Sequence, residues 1–212
     1  MRPNESSLGY IRELFAPEDA ALETARLRHE SENLPAIHIS PDEGKLLFVL
    51  LRAVGARRVL EIGTLGGYSG IWIARALPPD GRLTTIERDP KHAAAARRAF
   101  AEAGVASKIE LIEGDARAVL AGLSPGFDAV FVDADKEPLA EYYREGMRLL
   151  AVGGLLLCDN AVIDDRVADP DDDGDDVRGV REFNRLASGD DRLAATIVPI
   201  RDGLLVGTKL AP

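Results

Sequence analysis

The stretch Val59-Leu-Glu-Ile-Gly-Thr-Leu-Gly-Gly-Tyr-Ser69 constrains the fold of this chain more than any other. Val59, Leu60 and Ile62 form a short apolar run of strand character. Gly63, Gly66 and Gly67 follow at once, where a chain must turn sharply and admit a ligand to its backbone. Ser69 to Leu77 then reads as a helix: Ile71, Trp72, Ala74 and Leu77 are apolar, and Pro78-Pro79 end it. Strand, glycine turn and helix in that order mark the nucleotide-binding start of a doubly wound sheet.

Strands and helices alternate from there on. The spacing predicts strands at Arg82–Glu87, Ile109–Glu113, Phe127–Val132 and Leu155–Cys158. Between them lie helices at Pro90–Ala103, Ala116–Leu123 and Leu139–Leu150, with Gly153-Gly154 as a turn. A loop, Asn160 to Asp176, precedes a last helix, Val177–Ala187, and Leu193–Pro199 with Gly203–Lys209 reads as a hairpin. This rhythm predicts an α/β, Rossmann-like, mostly parallel sheet with helices on both faces, in one domain spanning residues 1–212. Ahead of it, Leu8–Phe15 and Pro17–Asn33 read as helices of an N-terminal segment, residues 1–39, that acts as a lid or a subunit contact. Ser40-Pro-Asp-Glu43 fits a capping box for the helix carrying Leu46 to Val54, ended by Gly55.

The glycine pattern is G-x-x-G-G, not the G-x-G-x-x-G of dinucleotide sites. Glu61 sits just before the turn, where a carboxylate repels a pyrophosphate but suits an ammonium and a sulfonium. Glu87 ends the next strand, placed to accept hydrogen bonds from ribose hydroxyls. Asp115 follows the third. With Gly63 and Thr64 opening the turn, these acids favour S-adenosylmethionine over NAD as the ligand.

A second constellation lies downstream. Phe131-Val-Asp-Ala-Asp-Lys136 closes one strand and Leu157-Cys-Asp-Asn160 the next, and in a parallel sheet both ends share one edge. Asp133, Asp159 and Asn160 then converge as hard oxygen donors, which suit Mg²⁺, Mn²⁺ or Ca²⁺ rather than Zn²⁺. Lys136 lies three residues beyond Asp133, where a nearby divalent cation depresses an amine toward use as a general base.

Composition narrows the partners. A formal charge of −10 argues against nucleic acid, whose phosphates need a basic face. No apolar run approaches the ~20 residues of a membrane span. One cysteine, Cys158, inside an apolar run, excludes a disulfide framework and reads as a core residue. With no leader pattern in Met1 to Leu14, a reducing, cytoplasmic setting is expected.

Taken together, several segments resemble the small cation-dependent O-methyltransferases of catechol and caffeoyl-CoA type. They are Ile39-Ser-Pro-Asp-Glu-Gly44, Leu60 to Ser69, Glu113-Gly-Asp-Ala116, Phe127 to Lys136, Gly153-Gly154 through Asp159-Asn160, and Asp202-Gly-Leu-Leu205. The resemblance implies that Asp133, Asp159 and Asn160 bind Mg²⁺, which chelates two vicinal hydroxyls, and that Lys136 takes a hydroxyl proton. It implies cofactor contacts at Ile39, Glu61, Gly63, Ser69, Glu87, Ala116 and Asp135, beside Asp133. It further implies a homodimer and a seven-stranded sheet with an antiparallel last strand. The chain departs from the family at Pro138-Leu139 and at Val162-Ile-Asp-Asp165, both near the expected substrate, which points away from a plant-like acyl-CoA. The functional expectation is methyl transfer to a catechol-like small molecule. A catalytically silent cofactor-binding module is the alternative.

Other features are set aside. Asp169-Pro-Asp-Asp-Asp-Gly174 begins like a calcium loop but places Val180 where the closing Glu belongs. Its aspartates predict a mobile, self-repelling loop that disfavours anionic substrates, with Asp164 or Asp165 near a substrate hydroxyl. His29, His38 and His92 share no spacing and read as surface or core residues, and Trp72 as packing.

Overall fold

Seven strands join in one sheet: β1 (Arg58–Ile62), β2 (Arg82–Glu87), β3 (Ile109–Glu113), β4 (Phe127–Val132), β5 (Leu150–Cys158), β6 (Leu193–Val198) and β7 (Leu204–Lys209). Their order is β3-β2-β1-β4-β5-β7-β6 in this computed structural model, which describes residues 4–212. Met1, Arg2 and Pro3 of the expected N-terminal lid lie outside the described residues. The first five strands run parallel, and β7 lies antiparallel between β5 and β6.

The helices are α1 (Glu5–Phe15), α2 (Ala20–Ser31), α3 (Pro41–Ala53), α4 (Tyr68–Ala76), α5 (Pro90–Glu102), α6 (Ala116–Gly122), α7 (Leu139–Leu149) and α8 (Asp175–Gly189). Strand residues alternate between the faces. Val59, Leu83, Ala129, Phe131 and Leu157 pack beneath the α2–α5 side. Leu60, Ile86, Val130, Val132, Leu156 and Cys158 pack beneath α6–α8. Burial pushes the Cys158 thiol up to about 12, so it is a core group and not a reactive one. Trp72 is also core: Gly44 lets α3 approach it, since a Cβ there would lie 2.4 Å from the indole.

Four local readings need correction. Helix α2 starts at Ala20, not Pro17, because Asp19 accepts from the Leu22 amide at 3.1 Å and caps it. Strand β5 begins at Leu150, and Gly153-Gly154 lies inside it as an irregularity. Its pairing with β4 jumps from Phe127↔Leu150 to Ala129↔Leu155. The Ser40–Glu43 capping box does not form, since Ser40 makes no side-chain cap bond and Glu43 turns into the site described below. The acidic segment contains a 3₁₀ turn, Arg166–Ala168, and is tied to arginines.

The strand order reverses between β1 and β4, so a crevice opens at their carboxyl ends. Gly63 continues β1 and donates to Ile86 O at 3.1 Å, while the Asp133 amide donates to Ile62 O at 2.9 Å. Next to this, the Ala161 and Val162 amides donate to Gly203 O and Asp202 O, each at 2.8 Å, which locks the end of β5 to the entry of β7.

Candidate active site

The crevice holds a cleft lined by Ile39, Gly63, Thr64, Ser69 and Asp133, all expected from the sequence. Gly63 has φ +94°, and a Cβ there would lie 2.0 Å from Asp133 O, so only glycine fits between the two strand ends. Glu61 lies fully buried, in register with Thr85 of the neighbouring strand. Thr85 donates to its Oε2 at 2.7 Å and Ser69 also bonds it, but Oε1 has no partner. Burial, with Asp133 and Glu87 nearby, raises Glu61 to about 7 despite those two hydroxyls. Such a group is poised to meet a positive charge.

Glu87 is buried at the end of β2 and accepts from the Leu65 amide at 2.8 Å, the Thr64 amide at 3.2 Å and the Asp89 amide at 2.9 Å. It thereby shapes the glycine turn from below. Asp115 caps α6 through the Arg117 amide at 2.9 Å and pairs with the Arg117 side chain, with Ala116 opening the helix. Asp135 pairs with Arg88 at 2.5 Å. Both Asp115 and Asp135 are half-exposed and lie outside the residues lining the cleft.

The second constellation also assembles. Lys136 Nζ lies 3.5 Å from Asp133 Oδ1. Burial raises Asp133 to about 6; Lys136 opposes the rise and Asp159 adds to it. Asp159 is buried, and its Oδ1 accepts from the Asn160 amide at 2.6 Å. The Asn160 side-chain NH₂ donates to Asp202 at 3.3 Å, so its carbonyl oxygen is the side chain's remaining acceptor. Gly179 lets α8 press against this loop, since a Cβ there would lie 1.9 Å from Lys136 O.

Sequence reasoning missed two further members of this edge. Glu43, at the first turn of α3, is fully buried and neither carboxylate oxygen has a hydrogen-bond partner. Burial first, then the nearby Asp159, holds its carboxyl well above the ordinary range. Arg201, in the turn before β7, donates to Asp159 Oδ2 at 2.7 Å and lies 3.8 Å from Glu43 Oε2. Burial works against its charge, but Asp159, Glu43 and Asp133 outweigh this and raise it. Glu43 stood inside the Ile39–Gly44 segment, where the capping pattern hid its role. No local signal marks Arg201.

Arg201 has φ +44°, and Asn160, Ile163, Asp164 and Asp165 also have positive φ, from +36° to +62°. Strain of this kind gathers where surrounding structure overrides local preference, typically at functional sites. The expected self-repelling loop is paired in part. Arg166 bonds Asp172 at 2.7 Å and Asp176 at 2.6 Å, and Arg181 bonds the carbonyls of Val167, Arg166, Asp169 and Asp172. His29 and His38, set aside from the sequence, line the cleft itself.

Among the described residues no three His, Cys, Asp or Glu side chains close into a ready metal cluster. The expected trio includes an amide, Asn160. The donors nonetheless fit a hard divalent cation, because Glu43 keeps two orphaned buried oxygens beside Asp133 and Asp159.

The chain matches the family model described as O-methyltransferase over residues 13–210. It is 41% identical over 210 residues to a catechol O-methyltransferase of Niastella koreensis, covering 97% of this chain and 92% of the relative. Its fold superposes on the O-methyltransferase TomG from Streptomyces achromogenes, solved with S-adenosylmethionine, with a TM-score of 0.91. The two are 40% identical, with 97% and 96% of the chains covered. An O-methyltransferase from Bacillus cereus in complex with S-adenosylhomocysteine gives a TM-score of 0.91 at 33% identity, covering 96% and 97%.

Proposed function

The chain belongs to the O-methyltransferase family, and from that premise we propose that it transfers a methyl group from S-adenosylmethionine to one hydroxyl of a catechol-like small molecule held by a divalent cation. One observation carries this reading. Asp133 lines the cofactor cleft and also belongs to the acidic edge, so the two sites share a wall. A methyl donor in the cleft and a chelated substrate at the edge would then meet beside Lys136.

Asp133, Asp159 and Asn160 would hold Mg²⁺ or Mn²⁺, with Glu43 as the buried charge behind them. Such a cation lowers the pKa of a bound hydroxyl, and S-adenosylmethionine brings a methyl already activated on sulfur. What remains for the chain is positioning and one proton transfer. Lys136 would accept the substrate hydroxyl proton at Nζ. Gly63, Ser69 and Ile39 orient the methionyl end of the donor, and Glu61 faces its positive groups. Glu87 would accept from the ribose hydroxyls, and Asp115, Ala116 and Asp135 would contact the cofactor.

A homodimer is part of the same reading. Helix α1 buries no residue and exposes Tyr10, Leu14 and Phe15, an apolar face that a second copy would cover. Among the described residues no helix is long and apolar enough to cross a membrane. We place the activity in the cytoplasm, with neither nucleic acid nor a membrane as partner.

The test is methyl transfer to a panel of neutral catechols, with Mg²⁺, with Mn²⁺ and after exhaustive chelation. Activity that needs the cation supports the proposal. Full activity after chelation would remove the metal from it. Binding of S-adenosylhomocysteine without turnover on any catechol would favour the silent module instead.

A further inference from the structure

Asn184 stands on the buried face of α8, in the row Val177, Val180, Asn184 and Ala187. Spacings of three and four residues put these side chains on one side of the helix, and the three apolar ones pack into the core beneath the sheet. Nδ2 of Asn184 donates to Ala161 O at 2.7 Å, while its Oδ1 is buried without a hydrogen-bond partner. A carbonyl only accepts, so the nitrogen end of the amide is the end turned to Ala161. One bond made beside one acceptor left orphaned adds little to stability. A polar group in this row therefore points to a task other than fastening the helix. Phe183 and the Arg181 bonds to loop carbonyls already fasten it.

Ala161 follows Asn160, one of the expected cation ligands. The peptide that joins Ala161 to Val162 is gripped at both ends. Its N–H donates to Asp202 O at 2.8 Å, and its C=O accepts from Asn184. The Ala161 amide donates to Gly203 O at 2.8 Å, and the Ile163 amide to Asn160 O at 3.1 Å. Asn160 lies inside this clamp at φ +60°. Left-handed backbone is sparsely populated and persists where its surroundings impose it. It also sets the direction in which the Asn160 side chain leaves the backbone. Asp202 and Gly203 grip the loop from the entry of β7, and Asn184 grips it from α8. The same helix meets the Asp133–Lys136 turn, where Gly179 admits the Lys136 carbonyl.

We propose that Asn184 is a positioning residue: by holding Ala161 O it keeps Asn160 left-handed and the Asn160 amide oxygen turned toward the divalent cation. This rests on the cation reading above. In this role Asn184 touches neither the cation nor the substrate. The bond from the Asn160 NH₂ to Asp202 orients that side chain about its own torsions. Asn184 fixes the backbone from which it springs. Without the donor, the Ala161 peptide can turn at its carbonyl end, and Asn160 gains a route back to the commoner right-handed or extended backbone. The residues lining the cofactor cleft make none of these bonds, so the loss should fall on the cation and not on the cofactor.

The experiment compares wild type with Asn184→Leu, which puts an apolar group of similar size in place of the amide, and with Asn184→Ala, which removes it. Mn²⁺ is titrated while the spin-resonance signal of the free ion is followed, S-adenosylhomocysteine is titrated by calorimetry, and each protein is melted. Both variants should bind Mn²⁺ about tenfold more weakly, the scale of one lost hydrogen bond, and bind S-adenosylhomocysteine as tightly as wild type. The alanine variant keeps the test open should the leucine variant not fold. Wild-type Mn²⁺ affinity in a folded variant, with only the melting temperature lowered, would reduce Asn184 to a structural residue and overturn the proposal. Equal weakening of Mn²⁺ and S-adenosylhomocysteine would also overturn it, because a general loosening of the sheet edge would then account for both. If wild-type protein binds no Mn²⁺, with or without S-adenosylhomocysteine present, the cation reading itself fails, and this assignment with it.

Discussion

Glu87 and Glu43 are both buried carboxylates at the same edge of the sheet, and they live in opposite conditions. Glu87 accepts from the amides of Thr64, Leu65 and Asp89. Glu43 accepts from none, and its nearest cation, Arg201, is 3.8 Å away. The difference follows from how each half is built. The cofactor half is local: a strand end, a glycine turn and the next strand end bring fixed backbone dipoles to a carboxylate at no extra ordering cost. The acidic half is assembled from the start of α3, the ends of β4 and β5 and the turn before β7. Several like charges meet there, with Arg201 and Lys136 as counter-charges. Buried charge without sufficient partners is costly. Glu87 has its partners in the bare chain, while Glu43 is left without any, as a cation-binding edge would be on the reading proposed above.

The largest expected effect comes from breaking the junction of the halves. Gly63→Ala forces a positive φ on a residue with a Cβ and drives that Cβ against Asp133 O. The strained backbone alone costs roughly 1–3 kcal/mol, and separating the strand ends should weaken S-adenosylhomocysteine by about two orders of magnitude. Calorimetry beside thermal melts reads both. Wild-type affinity in this variant would show that the two strand ends do not need their close approach.

Arg201→Ala tests the acidic half alone. Removing the guanidinium leaves the positive φ as it is but frees Asp159 Oδ2. If Arg201 and a divalent cation compete for that oxygen, Mn²⁺ should bind about tenfold tighter, equivalent to ~1.4 kcal/mol. The spin-resonance signal of free Mn²⁺ during titration measures this without any turnover. Unchanged or weaker binding would mean that Arg201 completes the cluster rather than competing for it. Without metal, the same variant should melt lower, because Asp159 and Glu43 lose their cation.

The same contrast explains what the sequence made legible. β2, β3 and β4 were readable to the residue, as was the glycine turn, because apolar runs and glycines report short-range geometry. That Asp133, Asp159, Asn160 and Lys136 share one edge was readable because each ends or follows a strand, and a parallel sheet brings such ends together. Glu43 was misread because its spacing from Ser40 fits a local cap, and a local pattern cannot show that tertiary burial has claimed the carboxylate. Arg201 and His29 are brought in by contacts between segments far apart in the chain, which no periodicity encodes. The partial pairing of the acidic loop was not legible, because Arg166 reaches Asp172 and Asp176 only through the loop's fold and Arg181 ties its carbonyls from α8.

The smallest expected effect separates the carboxylates of the cofactor half from each other. Burial raises Glu61 from 4.5 to about 7. In the unfolded chain it ionises near its ordinary value, while the folded protein still holds the proton. Between about pH 4.5 and pH 7 the folded state therefore binds more protons, and this group's contribution to stability is lost as pH rises through that window. Glu61→Gln keeps an acceptor for Thr85 and removes the titration. The variant should match wild type at pH 4.5 or below and exceed it at pH 8 by at most ~3 kcal/mol, or about 3–10 °C in Tm. It should at the same time bind S-adenosylhomocysteine less well, since the charge that destabilises the empty cleft is the one that meets the ligand. Glu87→Gln should instead lose about 1–3 kcal/mol of stability, because an NH₂ replaces an acceptor that backbone amides require. Melting curves of both variants at the two pH values decide it. A Glu61→Gln protein no more stable than wild type at pH 8 would show that Ser69 and Thr85 already offset the burial of Glu61, and that the cofactor half stores no charge for its ligand.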